Sequence, residues 1–428
     1  MKIVKMITLF SLCSILSGFS YIKGLKKIIL DNNLEVYIKE DNKLPIVSIQ
    51  LWVRAGSLDE TEKNNGVAHF LEHMLFKGTK NYSVGDISHF IESNGGIINA
   101  GTSKEFTQYY IDIPVSGFET GLKIIADIAQ RASFPEDEFE REKNVILEEI
   151  KRIDDNPENI LFENFNSQLF TTTPYKFRII GTTQTISNMV KQDLIDFYKK
   201  LYVANNMYIV IVGDIKYKNV KKIIKEFFSY ITKGEKNQRK NLKEPIRPPF
   251  IKEIKKNVGH TYILSGFLGP DINSKYRFTA DILTTILGVG LSSRLNQILR
   301  EEKQLVFAIE SGFYPQQEQG IFNILSICET EKKDSVLKEI DNQIIKILNE
   351  KIDEKEIQKA KEIILSQWFF GQQTVNQQAS VIGYNICMNS LKLVKNYIKN
   401  INRINYQDIK KFIEIYYTGL TSSILNPE

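Results

Sequence analysis

The sequence predicts an α+β protein of two homologous domains, each a mixed, mainly antiparallel sheet with helices packed mainly on one face. Three observations predict it. The chain has 428 residues, too many for one ordinary core, so two domains of about 200 residues are expected. The stretch 233–249 holds four Lys, two Arg, two Glu and three Pro with few large apolar residues, which is the composition of a linker. On either side of it the same order of elements recurs: strand, helix, helix, strand, strand, helix. Such a repeat points to a distant internal duplication. Apolar content of 42% and charged content of 25% are those of a soluble globular chain. A net charge of +5, with no basic block carrying interleaved aromatics, does not favour a nucleic-acid partner.

The elements follow in order. Lys2 and Lys5 precede an apolar run from Met6 to Phe19, too short to span a bilayer comfortably. Gly18-Phe-Ser20 offers small residues where a signal peptidase cuts, and no arginine precedes Arg54, so a cleaved secretory signal over 1–20 is expected. Cys13 follows Leu-Phe-Ser-Leu-like bulk and fits a lipoprotein site poorly. Lys26 to Asp41 reads as a hairpin about Asp31-Asn-Asn, and Pro45 to Arg54 as an alternating strand. A polar loop, 56–65, leads to an uninterrupted run from Val67 to Lys77, with Gly78 placed to end a helix. Ser83 to Ser93 is a helix with Ser83 as N-cap, stopped by Asn94-Gly-Gly. Strands follow at 97–103 and 106–115, then helices at 117–132, 135–153 and 158–170. The helix opened by Pro135 carries acidic residues in its first turn, as the dipole favours. Helix 193–201, strand 207–212 and the basic amphipathic helix 217–231 close the first half. The second half reads as strands 251–257 and 260–267, helices 276–287 and 292–302, strands 305–314 and 321–329, helices from Asp334 and Glu354 onward to Tyr417, and a last strand 421–425. Cys328 and Cys387 lie in apolar runs and read as core cysteines.

Two of the four histidines, His69 and His73, are spaced i,i+4 and stack on one helix face, with Glu72 projecting from the same side. Neutral imidazoles one turn apart suit zinc, and a carboxylate beside them can take a proton from metal-bound water. His-x-x-Glu-His is the inverted form of the commoner zinc-peptidase motif. Such a site needs a third protein ligand. The acidic helix offers Glu142 and Glu149, seven apart on one face, with Val145 and Ile146 between them turning part of the helix inward. One carboxylate would complete the site and the other would orient a histidine. Spacing alone does not choose between Glu148 and Glu149. His89 and His260 read as structural.

The stretch from Gly66 to Thr79 resembles the active-site helix of the pitrilysin-type zinc peptidases, the inverzincins. It is most similar to the branch that includes mitochondrial processing peptidase and bacterial periplasmic relatives. The resemblance extends to Asn99-Ala-Gly-Thr-Ser103 with Thr107 and Tyr109, to Arg141 through Glu149, and to Ile179-Ile-Gly181, and persists weakly to the end. It implies one zinc ion per chain held by His69, His73 and Glu149, with Glu142 as supporting carboxylate and Glu72 as general base. It implies that Asn99 and Ala100 lie on an edge strand that pairs with extended substrate, which has a physical basis in main-chain hydrogen bonding. The domains become a zinc-binding peptidase domain at 21–232 and a homologous domain without metal at 250–428. Many members carry a substrate-gripping arginine and, seven residues later, a tyrosine. Here Arg300 stands at the first place and Phe307, which has no hydroxyl to donate, at the second. A homologous partner subunit supplying an Arg/Tyr pair is therefore expected, with a homodimer next. The implied activity is zinc-dependent hydrolysis of peptides or unfolded segments inside a closed chamber, in the periplasm. The competing reading is a non-catalytic or processing-type subunit of a heterodimeric assembly.

Overall fold

A computed structural model describes residues 22–240 and 242–428, so the expected leader lies outside the described residues. Two sheets organise the chain. The first contains β1 (Lys26–Ile29), β2 (Glu35–Glu40), β3 (Ile46–Val53), β4 (Ile97–Thr102), β5 (Thr107–Pro114) and β6 (Met207–Gly213), in the order β1-β2-β6-β3-β5-β4. The second contains β7 (Ile251–Lys256), β8 (Thr261–Gly269), β9 (Ala308–Tyr314), β10 (Gly320–Cys328) and β11 (Thr421–Pro427), in the order β7-β11-β8-β10-β9. Without β1, the two orders superpose strand for strand. Each has one parallel pair, β2 with β6 and β7 with β11, beside antiparallel neighbours. The duplication expected from element order is therefore present in the topology, and the fold is α+β.

The helices of the first half are α1 (Val67–Met74), α2 (Asp86–Ser93), α3 (Phe118–Gln130), α4 (Glu136–Asp154), α5 (Pro157–Leu169), α6 (Thr183–Asn188), α7 (Lys191–Leu201) and α8 (Tyr217–Phe228). Those of the second include α9 (Arg277–Gly288), α10 (Lys333–Asn349), α11 (Glu354–Phe370) and α12 (Val375–Cys387), before three shorter ones. Period-two alternation decides which face each strand residue serves. Val36, Ile38, Ile49, Leu51, Ile209 and Ile211 pack into the first half's main core with α1, α3 and α4. Their neighbours Tyr37, Trp52, Tyr208, Val210 and Val212 point the other way, onto Ala379, Ile382 and Ile386 of α12. The second sheet does the same: Ile263, Phe267, Phe322 and Ile324 face its own helices, while Leu264, Leu268, Ile321 and Leu425 meet Leu161, Phe165 and Leu169 of α5. Each half thus lends one helix to cover the back of the other half's sheet. Gly383 allows α12 to sit this close, since a Cβ there would lie 2.1 Å from Trp52 Nε1.

Four local expectations need correction. α1 ends at Met74, not Lys77, because Phe76 and Lys77 donate to the carbonyls three residues back and tighten the last turn. Gly78, at φ +121°, then turns the chain away. α2 begins at Asp86 after a left-handed Gly85, and Ser83 is not its N-cap: the Ser83 amide donates to Asp86 Oδ2 at 2.7 Å. The helix expected over 292–302 is a π-helix over Asn296–Glu302. Val145, expected to turn inward with Ile146, is 45% exposed, whereas Ile146 is fully buried. The stretch 233–249 holds no helix or strand among its described residues, yet Leu242, Glu244 and the side chain of Arg239 within it are buried.

Candidate metal centre

The site is built where α1 crosses α4. Phe70 of α1 stacks on Phe139 of α4, with centroids 4.9 Å apart and planes within 8°. That contact sets the height of one helix against the other. Phe70 is i+1 from His69, so both histidines project to one side of the stack. Phe139, Glu142, Ile146 and Ile150 form the buried stripe of α4, and Glu149 sits at its edge, 25% exposed at the side chain.

Glu149 Oε2 lies 3.9 Å from His69 Nε2 and 3.7 Å from His73 Nε2. The two rings stand edge to face with centroids 4.7 Å apart. These separations exceed hydrogen-bond length. They are close to the roughly 3.4 Å edge of a tetrahedron with metal–ligand bonds of about 2.1 Å. Among the described residues this is the group of three that could hold a metal ion. The tautomers suit it. His73 Nδ1 is 3.1 Å from Glu142 Oε2, and a proton on Nδ1 leaves the Nε2 lone pair free. Glu142 is buried, and its other oxygen accepts from Lys77 Nζ at 2.7 Å. Burial, and then the neighbouring His73, push the His69 imidazole down to about 3, so it is neutral near pH 7. His69 Nδ1 is buried with no partner among the described residues. Two imidazoles of one helix and a carboxylate of another make a donor set that fits zinc.

Glu72 faces the same pocket, of about 350 Å³, together with His69, Glu149, Ala100, Gly101 and Thr102. Thr102 Oγ1 donates to Glu72 Oε2 at 2.5 Å. Burial raises the Glu72 carboxyl above its ordinary range, and the charge of Glu149 adds to this; the Thr102 hydrogen bond and His73 oppose it. Thr102 ends β4, which is the outer strand of the first sheet. Ala100 therefore lies on an edge beside the metal centre. Asn99 is exposed on the same strand, and its Oδ1 accepts from the Ala100 amide at 2.8 Å. Arg300 is not brought to the pocket. It lies in the second half's π-helix, 41% exposed, with Glu301 3.8 Å away. Phe307 packs against His260 with the rings tilted and their centroids 4.7 Å apart, and is half exposed. Glu148 pairs with Lys151 on the outer face, which leaves Glu149 as the carboxylate that reaches the histidines. A larger cavity of about 870 Å³ lies at the far end of α5, against 243–252 and β8, and holds none of these residues.

The residue that sequence reasoning missed is Glu60. It is 5% exposed, and its two oxygens accept from the amides of Gly66 at 2.8 Å and Ala68 at 2.9 Å and from Asn65 Nδ2 at 2.7 Å. It thereby satisfies the free amides at the start of α1. Gly66, at φ +98°, backs onto Gly181: a Cβ on Gly66 would come within 2.8 Å of the Ile180 carbonyl oxygen. This is the structural content of the Ile179-Ile-Gly181 stretch.

Comparison with known proteins shows the family of the chain. Residues 35–183 match the family model described as insulinase (peptidase family M16), and residues 188–364 match the peptidase M16 inactive domain. An uncharacterized zinc protease of Rickettsia bellii is 32% identical over 403 residues, covering 93% of this chain and 96% of the relative. Zinc protease PqqE of Helicobacter pylori is 26% identical over 425 residues, covering 95% and 94%. The crystal structure of a protease from Helicobacter pylori superposes with a TM-score of 0.87 at 24% identity, covering 94% of this chain and 99% of that one. With its duplicated sheets, its paired histidines on α1 and its distant glutamate on α4, the chain belongs to the insulinase family of zinc proteases, peptidase family M16.

Proposed function

We propose that this chain is a zinc-dependent endopeptidase with Glu72 as its general base. The observation that carries the reading is the convergence of Glu149 on both imidazoles, beside a pocket that His69, Glu149 and Glu72 line together. Zinc, when bound, lowers the pKa of a coordinated water and polarises a carbonyl. His69, His73 and Glu149 would hold one ion, and Glu142 keeps the His73 proton on Nδ1. Glu72 takes the proton of the attacking water and returns it to the leaving amine. Its raised proton affinity makes it a stronger base than an exposed glutamate, and Thr102 aims it. An extended peptide would add to β4 by main-chain hydrogen bonds, with the Ala100 amide exchanging the Asn99 side chain for a substrate carbonyl.

The exposed Arg300 and the hydroxyl-free Phe307 leave the substrate grip incomplete in one chain. This supports a homologous partner subunit that supplies an Arg/Tyr pair, closing with this chain over a chamber that admits peptides and unfolded segments. The apolar leader supports export to the periplasm, and no helix among the described residues is long and apolar enough to cross a membrane. The test is Glu72→Gln in the zinc-loaded protein, purified with its partner. Peptide hydrolysis should fall by roughly 10²–10⁴-fold while bound zinc is unchanged. Full activity in that variant would reject the reading.

A further inference from the structure

The stretch between the two halves reaches into the metal centre's foundations. Arg239 is 7% exposed at the side chain and grips Asp59 as a fork, Nε to Oδ1 at 2.9 Å and Nη2 to Oδ2 at 2.6 Å. Its Nη2 also donates to the Glu105 carbonyl at 2.7 Å. Asn237 Nδ2 adds a bond to Asp59 Oδ1 at 2.6 Å. The next residue in the chain is Glu60, which holds the amides of Gly66 and Ala68. Ala68 immediately precedes His69. A path of one side-chain fork, one peptide bond and two amide contacts thus runs from the inter-half stretch to a metal ligand.

An eight-residue helix is too short to hold its own position, so contacts at its start decide where its side chains point. A buried ion pair is a poor source of stability but a good way to fix one arrangement, since its strength depends on geometry. Asp59 also accepts from the Gly56 amide at 3.0 Å, and the residue that follows it in the chain is the carboxylate that starts α1.

We propose that Arg239 and Glu60 are positioning residues of the metal centre: by holding Asp59, the inter-half stretch sets where α1 begins and so where His69 stands relative to Glu149. This rests on the zinc reading above. The two halves are then coupled in a specific sense, because a shift of 237–239 is a shift of the ligand helix.

The experiment measures the zinc dissociation constant by competition with a chromogenic chelator, in full-length protein well below its melting temperature. Arg239→Met and Glu60→Gln should each weaken zinc by about tenfold or more, the size seen when groups that orient metal ligands are removed. Arg239→Lys keeps the charge but not the fork, and should weaken zinc by several-fold. Ile344→Val, in the second half's core, loses stability without touching the path and should bind zinc as the parent does. If Arg239→Met does not fold, Arg239→Lys decides between the same two outcomes. Unchanged zinc affinity in the Arg239 and Glu60 variants of a zinc-binding parent overturns this proposal alone. A parent that binds no zinc overturns it together with the reading of the site.

Discussion

Glu142 holds His73 by the nitrogen that faces away from Glu149, with Oε2 3.1 Å from Nδ1. Lys77, just past the end of α1, holds the other oxygen of the same carboxylate. The imidazole is therefore fixed in both orientation and tautomer before any ligand binds.

Removing this support should cost metal, not fold. Glu142→Ala should weaken zinc by roughly 10–100-fold, and Glu142→Gln by less, since its amide oxygen can still accept from Nδ1. Zinc competition titrations on both variants, with far-UV circular dichroism as a control, check this. Equal affinity in parent and Glu142→Ala would show that His73 needs no support.

The interlocked helices make a prediction about glycine. Gly383 lies inside α12, where alanine would ordinarily gain about 1 kcal/mol. Here the added methyl would meet the Trp52 indole, which is 2% exposed, packed on Phe106 and bonded to Gln50. The ring cannot step aside, so Gly383→Ala should destabilise by about 1–3 kcal/mol. A denaturant midpoint that rises instead would mean α12 is not seated on β3.

The buried Glu60 predicts a pH dependence. Burial pushes its carboxyl up to about 7 despite the amide bonds it accepts. A carboxyl whose folded pKa is raised holds its proton longer in the native state than in the unfolded one. Its contribution to stability is therefore full below about pH 4.5 and is lost as pH rises toward 7, by at most about 3 kcal/mol. Chemical denaturation of the metal-free protein at several pH values should show this slope, and Glu60→Gln should flatten it. An identical slope in the variant would assign it to other groups.

Much of the fold was legible because its strands alternate and its helices carry punctuation. Pro135 and the Asp154-Asp-Asn-Pro break mark the two ends of α4 within a residue or two. The paired sheets could be read from element order alone. What could not be read is long-range. Thr102 meets Glu72 across 30 positions, and no spacing rule announces a hydroxyl that a folded edge strand delivers. Glu60 sits in a loop that looks merely polar, and its role depends on a chain reversal between it and Gly66. The exchange of α5 and α12 between halves leaves only a faint trace: the back faces mix large apolar residues such as Trp52, Val210, Leu264 and Leu425 with buried polar ones such as Ser48 and Gln50, which implies covers without saying where they come from. Glu149 was separable from Glu148 only by resemblance. The geometry supplies the reason, since Glu148 is one residue further around the helix and pairs with Lys151 in solvent.

The most direct test of the central claim is an anomalous difference map at the zinc absorption edge from crystals of the zinc-loaded protein. One peak per chain is expected within about 2.3 Å of His69 Nε2, His73 Nε2 and a Glu149 carboxylate oxygen. A peak elsewhere, or a bound ion with the Glu149 side chain turned away from it, would contradict it.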